Sequence, residues 1–160
     1  MSDLLFKTNG NVFSYRVGGV LIHNGKLLMQ NSVDNEGYSF VGGHALFGET
    51  TEETLIREFK EELNAEIKIE RLLMVNENFF ELNNCRCHQI NFFYLISLKD
   101  ETQIPLDRDF KAVDELGGVR AELNMCWIPL EDIANRKIYP DGAKKYLLNI
   151  PDEIVHFVQK

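Results

Sequence analysis

The pattern of apolar and polar residues in the first part of the chain predicts a β-hairpin. Two mostly apolar runs, 17–22 and 26–29, flank the dipeptide Asn24-Gly25. Asn-Gly is the strongest two-residue turn signal, because both turn residues must accept positive φ. We therefore expect two antiparallel strands joined by this turn, followed by a short strand at 38–41.

From Thr50 onward, apolar residues recur with helical spacing. Thr50 or Thr51 can cap the first turn, and the acidic side chains that follow suit the positive N-terminal end of a helix. Asn64 comes after the last apolar residue of the pattern and can adopt the left-handed conformation that commonly ends a helix. The core-facing stripe of this predicted helix consists of Leu55, Ile56, Phe59 and Leu63.

The residues after this helix predict mainly strands. Segments 67–80 and 88–98 have the composition of strands and are joined through 81–84. The run 90–96 is apolar almost throughout, as in a central strand that is covered on both faces. We expect one last strand at 125–129.

The charged segment 100–120 contains Pro105 and a Gly-Gly pair, so we expect a long loop, which in a compact domain is often functional. Short helices are expected at 130–136 and 142–148. Many strands with few helices favour an α/β fold in which a mixed β-sheet is sandwiched between α-helices. No linker or repeat divides the chain, so we expect a single domain over 1–160.

The bulk composition excludes some classes of function. The 160 residues include 25 acidic and 17 basic side chains, and the net charge of −8 disfavours a broad grip on nucleic-acid phosphates, so no nucleic-acid partner is expected. No apolar run approaches the ~18 residues of a membrane span, and the N-terminus lacks the pattern of a signal peptide. Three cysteines do not make a disulfide framework, which favours the cytoplasm. Zinc ligation is one interpretation of Cys85, Cys87 and His88, but without a second pair we favour free thiols on a strand.

The acidic residues are concentrated in one segment. Six glutamates and two basic residues lie within 49–62, so this segment carries −4, half of the net charge of the chain. At about 100° per residue, Glu58, Glu61 and Glu62 fall within one arc of a helix. Like charges so placed repel each other, which is explicable if a cation lies between them, and three carboxylates suit the hard ions Mg²⁺ and Mn²⁺. The alternative is a solvated acidic face of the helix.

Residues around this cluster favour a built site. Gly42-Gly43 permits a backbone turn that a side chain would block, so the segment before the helix can direct a backbone carbonyl at the same ion. Arg57 lies among the acids, which fits an internal ion pair that positions Glu49 or a neighbour.

The segment 43–65 resembles the Nudix box, whose pattern is Gly-x5-Glu-x7-Arg-Glu-apolar-x-Glu-Glu-x-Gly-apolar. The corresponding residues of this chain are Gly43, Glu49, Arg57, Glu58, Phe59, Glu61, Glu62, Asn64 and Ala65. Every charged position of the motif is present. Asn64 stands where the family has glycine, and because asparagine adopts the same backbone conformation, we expect this departure to be mild. The flanking strands and C-terminal helix also resemble the family, so the resemblance covers most of the chain.

Members of the Nudix family hydrolyse a pyrophosphate bond in nucleoside diphosphates linked to another group, or in nucleoside triphosphates, with Mg²⁺ or Mn²⁺ as cofactor. The resemblance implies the Nudix fold, a small nucleotide as substrate, and a homodimer as one oligomeric state. The metal ligands that it implies are Glu58, Glu61, Glu62 and the backbone carbonyl near Gly43. It also implies that Arg57 and Glu49 orient this catalytic cluster.

The general base and the substrate contacts stay open. The candidates for the base are Glu58 and acids in or beside the predicted loop, namely Asp107, Asp109, Asp114, Glu115 and Glu122. Aromatic residues that can stack on a nucleobase are Tyr38, Phe40, Phe47, Phe79, Phe80 and Tyr139. Candidates for phosphate contacts are Arg16, Lys26, His44, Arg86 and Arg120.

Two other functions are compatible with this fold. A nucleotide-binding sensor without turnover would usually have lost acids of the box, whereas this chain retains all of them. An enzyme that isomerises an isoprenoid diphosphate would need a catalytic cysteine and a catalytic glutamate outside the box, and Cys85, Cys87 and Cys126 are the candidates for the cysteine. The intact motif favours hydrolysis.

Overall fold

The computed structural model describes residues 2–32, 36–116 and 119–160, with side chains throughout these ranges except at 114–120. The strands in this part of the chain are β1 Leu5–Thr8, β2 Asn11–His23, β3 Lys26–Ser32, β4 Tyr38–His44, β5 Ile67–Leu82, β6 Cys85–Leu98, β7 Phe110–Leu116, β8 Val119–Pro129, β9 Ile138–Tyr139 and β10 Val155–Gln159. The helices are α1 Thr51–Leu63 and α2 Lys144–Leu148, with 3-10 turns at Leu130–Asn135 and Asp141–Ala143.

The strands form one mixed sheet in the order β10-β5-β6-β2-β4-β3-β8-β7, with β1 added to β2 and β9 added to β4. Strand β2 is the branch point of this sheet. It pairs with β6 in parallel, with β4 antiparallel, and with β3 through the hairpin. Strand β6, which contains the apolar run, lies between β5 and β2, so its predicted central position is confirmed.

Helical elements cover both faces of the sheet. Leu55 and Phe59 of α1 pack in one cluster together with Tyr94 of β6. The neighbouring residue Phe93 belongs to a second cluster, which includes Leu147 of α2. Because successive strand residues point to opposite faces, the two clusters lie on opposite sides of the sheet. The predicted α/β fold with a mixed sheet between helices is therefore confirmed.

The local signals at the hairpin and at α1 act as expected. Asn24 and Gly25 have φ values of 47° and 73°, the left-handed conformation that the turn requires. Thr50 caps α1 in a capping box with Glu53, in which each side chain accepts from the backbone of the other residue. Asn64 ends the helix with φ of 49° and ψ of 32°, the conformation predicted for the position of the missing glycine.

Substitutions of Asn64 test whether this departure from the motif is mild. We expect Asn64→Gly to keep the free energy of unfolding, because glycine adopts positive φ without steric cost. Asn64→Ala should lower it by about 1 kcal/mol, since the left-handed conformation is unfavourable for residues with an ordinary Cβ. Urea unfolding with an unchanged m-value measures both. Equal destabilisation by glycine and alanine would show that the asparagine side chain itself is needed.

The predicted loop 100–120 is wrong over its second half. Strand β7 occupies Phe110–Leu116 and β8 begins at Val119, while Gly117 and Gly118 lie outside the described residues. Strand β7 lies at the edge of the sheet beside β8, and because successive side chains point to opposite faces, Ala112 is buried while Lys111 faces solvent. At these two positions the strand is buried on one face and solvated on the other, so a charged residue does not exclude a strand.

Other strands are longer or more numerous than expected. The predicted strand 125–129 is the end of β8, and it is not the last strand, since β9 and β10 follow. Strands β5 and β6 form one long hairpin whose turn residues Asn83 and Asn84 both have positive φ. Strands β1, β9 and β10 have only two to five residues, too few for a periodic pattern to be recognised.

Cysteine positions agree with the preferred interpretation. Cys85 and Cys87 are free thiols on β6, and Cys126 is a free thiol on β8. In the part of the chain that the structure describes, no group of three His, Cys, Asp or Glu residues is arranged to hold zinc or another metal ion. None of the helices in that part is long and apolar enough to span a membrane.

Candidate active site

A polar cleft of about 390 Å³ opens beside α1, over strands β2, β3 and β4. It contains Gly43 and the side chains of Arg57, Glu58, Glu61 and Glu62, so the structure brings five of the six predicted site residues to one surface. Glu49, the sixth, is held at this cleft through Arg57. Further residues around it are Asp3, Arg16, Gln30, Asn31, Ser32, Gly37, Ser39, Gly42, His44, Leu123 and Tyr139.

The guanidinium group of Arg57 donates hydrogen bonds to several residues of this cleft. Its Nε and Nη2 atoms donate to the two carboxylate oxygens of Glu49 over 2.8 and 3.0 Å. Its Nη1 atom donates to Glu58 Oε1 over 2.7 Å and to Glu61 Oε2 over 3.1 Å. Nη2 also donates to the backbone oxygen of His44 over 3.1 Å. The predicted internal ion pair is thus present, and it ties α1 to the end of β4 and to the segment that leads into the helix.

Glu49 is held from several sides. Besides Arg57, Thr54 Oγ1 donates to Glu49 Oε2 over 3.0 Å, and the backbone nitrogen of Leu46 donates to the same atom over 3.4 Å. The hydrogen bond from Arg57 is the main reason that the pKa of Glu49 is lowered, although partial burial opposes it. The same bond is the main reason that the pKa of Arg57 is raised. Both groups are therefore charged at neutral pH.

The three carboxylates of the acidic arc differ in exposure. The Glu58 side chain is 12% exposed and Glu61 is 60% exposed, while the whole Glu62 residue is only 9% exposed. A solvated acidic face would leave all three in water. Two of the three are instead packed at the floor of the cleft, which argues for a built site.

Two glycines let β4 approach its neighbours closely, but they do so inside a strand and not in the turn that the sequence suggested. A Cβ atom on Gly43 would lie 2.4 Å from the Glu58 carboxylate. A Cβ atom on Gly42, whose φ is 146°, would lie 2.2 Å from the backbone oxygen of Val17 on β2. The Gly-Gly pair is therefore needed because strand β4 is squeezed between β2 and the carboxylates of α1.

These residues fit a hard divalent cation. The donor set consists of carboxylate oxygens on α1 with a glycine backbone against them, and it lacks the soft ligands that favour zinc or copper. In this structure Arg57 engages one oxygen each of Glu58 and Glu61, which partly neutralises the cluster. Because Arg57 holds these oxygens, the carboxylates are not gathered around one point. Accordingly, no preformed group of three metal-binding side chains is found among the described residues.

Of the cationic candidates for phosphate contacts, Arg16 reaches the cleft. Its Nη2 atom donates to the backbone oxygen of Gly42 over 3.5 Å. His44 also lines the cleft, and burial, followed by the nearby charge of Arg16, lowers its pKa to about 4, against the opposing effect of Asp3. His44 is therefore neutral at pH 7. Lys26 and Arg86 are exposed elsewhere, and the side chain of Arg120 lies outside the described residues.

Among the candidates for the general base, Glu58 is brought to the cleft. Asp107 is exposed and pairs with Arg108 over 3.1 Å. Asp109 accepts from the backbone nitrogen of Trp127 over 2.9 Å, and Glu122 pairs with Lys111. None of these three acids lines the cleft as far as the structure describes it. The side chains of Asp114 and Glu115 are outside the described residues.

A second cleft of about 490 Å³ adjoins the first and shares Arg16, Ser39 and Tyr139 with it. Of the aromatic candidates, Phe40, Phe80 and Tyr139 line this second cleft, while Tyr38, Phe47 and Phe79 do not appear in its described lining. Polar residues that the sequence reasoning missed come here from β5, β6 and β10, namely Asn78, Gln89, Asn91 and Gln159. Gln89 and Asn91 are two residues apart on β6, a spacing that places both side chains on one face of the strand. This signal was hidden because the strand is otherwise largely apolar.

Solved structures of other proteins share the fold of this chain. The chain is similar to the MutT protein of Bacillus halodurans, with a TM-score of 0.63, 13% identity, and 91% of this chain and 90% of that chain covered. It is also similar to an ADP-ribose pyrophosphatase of Streptococcus suis, with a TM-score of 0.59, 13% identity, and coverage of 90% and 98%. A third similar structure is a UDP-X diphosphatase, with a TM-score of 0.57, 16% identity, and coverage of 89% and 66%.

The sequence itself matches a family model. The model is that of the NUDIX domain, and it covers residues 13–149, which include the hairpin, the acidic helix and the C-terminal α2. The match agrees with the motif at 43–65 and with the ion-pair network around Arg57. The chain belongs to the NUDIX domain family of hydrolases.

Proposed function

We propose that this protein hydrolyses a pyrophosphate bond in a nucleoside diphosphate derivative or a nucleoside triphosphate, and that it depends on Mg²⁺ or Mn²⁺. The observation that carries the proposal is the network of Arg57 with Glu49, Glu58 and Glu61 along a polar cleft. A network of this kind fixes the carboxylates of α1 on one side of a space large enough for a phosphate chain.

Glu58, Glu61, Glu62 and the Gly43 backbone would hold the cation. A divalent cation there supplies Lewis-acid polarisation of the phosphate and acidification of a water molecule. Without positive charge the carboxylates would repel the substrate, since a phosphate chain carries several negative charges. The acidic helix therefore favours a small polyanion only when the cation is present.

The residues of the chain divide the remaining work. Glu58 is the base candidate that lies in the cleft, and it would accept a proton from the attacking water. Arg57 holds Glu58 in place from Nη1 while its other face is anchored on Glu49. Arg16 supplies positive charge where the two clefts meet, and neutral His44 offers a hydrogen bond without charge.

Some observations bear on the alternatives and on the cellular setting. None of the three cysteines lines either cleft as described, so nothing in the structure favours the isomerase. All acids of the motif are retained, which favours turnover over a sensor.

Three free thiols fit a reducing compartment, and we propose the cytoplasm. The homodimer stays a prediction, which light scattering would test.

A panel of nucleotides tests the proposal. With Mg²⁺ or Mn²⁺ we expect hydrolysis of at least one class among nucleoside triphosphates, ADP-ribose, dinucleoside polyphosphates, NADH and nucleotide sugars. The structural neighbours named for ADP-ribose and UDP-X justify including ADP-ribose and UDP-sugars. Product analysis by anion-exchange chromatography identifies the bond that is cleaved, and EDTA should abolish turnover. Binding without cleavage of any of these compounds would support the sensor instead.

A further inference from the structure

The second cleft differs in character from the one that holds the acidic helix. Its described lining contains one cation, Arg16, at the junction with the first cleft, and one acid, Glu81. The rest is uncharged, and consists of aromatic and aliphatic residues, amides, a glycine and the hydroxyl of Ser39. Phe80 and Tyr139 on its walls are 38% and 43% exposed. Such a space suits a flat, uncharged group at the far end of a substrate whose phosphates lie in the first cleft.

The amide of Asn76 has a fixed orientation. Its Nδ2 atom donates to the backbone oxygens of Phe157 over 3.3 Å and of Glu77 over 3.2 Å. A carbonyl oxygen only accepts, so these two partners require the NH₂ group of Asn76 on their side. The residue is 0% exposed, which leaves it no freedom to exchange partners with water. Its Oδ1 atom must therefore face the neighbouring strand.

Asn76 in turn fixes Asn91, its cross-strand neighbour on β6. Asn91 Nδ2 donates to Asn76 Oδ1 over 2.9 Å. Because the NH₂ group of Asn91 is used in this buried bond, the acceptor Oδ1 is what Asn91 presents to the second cleft.

Other amides around the cleft follow the same logic. Gln159 Oε1 accepts from the backbone nitrogen of Gly142 over 2.8 Å, so Gln159 presents its NH₂ group as a donor. Asn78 lines the cleft, is 8% exposed, and has an Oδ1 atom without a hydrogen-bond partner among the described residues. An unpartnered buried amide is costly unless a ligand or water completes it. The cleft thus offers an oriented acceptor, an oriented donor and the Asn78 amide, whose oxygen lacks a partner among the described residues.

We propose that the second cleft binds the base of the nucleotide, and that Asn91, oriented by Asn76, selects bases that carry an exocyclic amino group. An amino group donates to the Asn91 oxygen, whereas a base that lacks it leaves this oxygen unpaired. The proposal rests on the proposed function only in its assumption that the substrate is a nucleotide. Asn76 is a positioning residue, and Asn91 is the residue that touches the base.

Uncharged nucleosides test the proposal independently of metal and hydrolysis. Three matched pairs differ only by the replacement of an amino group with hydrogen: adenosine and purine riboside, cytidine and 2-pyrimidinone riboside, and guanosine and inosine. Affinities are measured by NMR titration of the full chain in EDTA. In at least one pair, we expect the amino-bearing nucleoside to bind about fivefold more tightly, the effect of one net hydrogen bond. The Gln159 side-chain amide signals should shift on binding.

Two variants assign the preference to Asn91. Asn91→Leu should remove it, while Asn11→Leu should keep it, since the Asn11 side chain donates to the backbone oxygen of Asn9 over 3.4 Å and lines neither cleft as described. Equal affinities within all three pairs for the unmodified protein would overturn the proposal without any variant. A preference that survives Asn91→Leu would overturn it as well. Nucleoside preference without hydrolysis of the panel would refute only the proposed function, and hydrolysis without preference would refute only the role of Asn91.

Discussion

Glutamine in place of Glu61 or Glu62 is expected to lower kcat by about 10²–10³-fold, because a metal ion supplies several kcal/mol of transition-state stabilisation and 1.36 kcal/mol corresponds to a tenfold change in rate. The two residues differ in a useful way. Glu61 is largely exposed, so its substitution should leave the fold intact. Glu62 is nearly buried, and its substitution tests the floor of the cleft.

A matched control exists on the same helix. Glu52 is an exposed glutamate in the first turn of α1 and is not part of the described cleft lining. Glu52→Gln changes the net charge by the same amount, and we expect it to keep kcat within a factor of about two. Binding of Mn²⁺, followed by electron paramagnetic resonance, should weaken in Glu61→Gln and Glu62→Gln but not in Glu52→Gln. Unchanged Mn²⁺ binding in both cleft variants would rule them out as ligands.

The sequence predicted the helix that carries the site better than any other element. The start, the capping box, the left-handed end at Asn64 and the apolar stripe all depend on interactions within a few residues of each other. Local signals of this kind can be recognised from the sequence alone. The same holds for the hairpin at Asn24-Gly25. Ile56 is the exception within the predicted stripe, since it is 45% exposed at the rim of the helix.

The polar residues of the second cleft could not be predicted from local signals in the sequence. Asn76 and Asn91 face each other across the β5–β6 hairpin, whereas Gln159 is distant in sequence and joins them only because β10 pairs with β5. Parallel pairing of this kind leaves no turn signal between partners, and β10 is too short to show a period. The edge strand β7 was missed because the charged residues in its sequence suggested a loop; Lys111, whose side chain is described, faces solvent. The position of such residues therefore depends on strand pairing over long sequence distances, which the composition of the chain does not reveal.

Arg57→Lys is expected to disorder the acidic cluster although it keeps the charge. The guanidinium bonds Glu49, Glu58, Glu61 and the backbone of His44 at once, and a lysine ammonium has neither the planar fork nor enough donors to do so. We expect kcat to fall about 10–100-fold, as is typical when a residue that orients ligands is lost. The free energy of unfolding at pH 7 should fall by about 1–3 kcal/mol. Arg136→Lys, in an exposed ion pair with Asp132, is the control and should cost under about 0.5 kcal/mol.

The pH dependence separates positioning from a general loss of stability. Because Arg57 lowers the pKa of Glu49 in the folded state, their pairing stabilises the protein above the unfolded pKa of Glu49 and is lost as the pH falls through the folded value. Arg57→Lys should therefore flatten the acid limb of the stability curve, whereas Arg136→Lys should leave it unchanged. A positioning role also predicts weaker Mn²⁺ binding and lower kcat with little change in KM, at temperatures where the variant is fully folded. Destabilisation with normal kcat and normal Mn²⁺ affinity would reduce Arg57 to a structural ion pair, and the carboxylates would then have to be oriented by α1 alone.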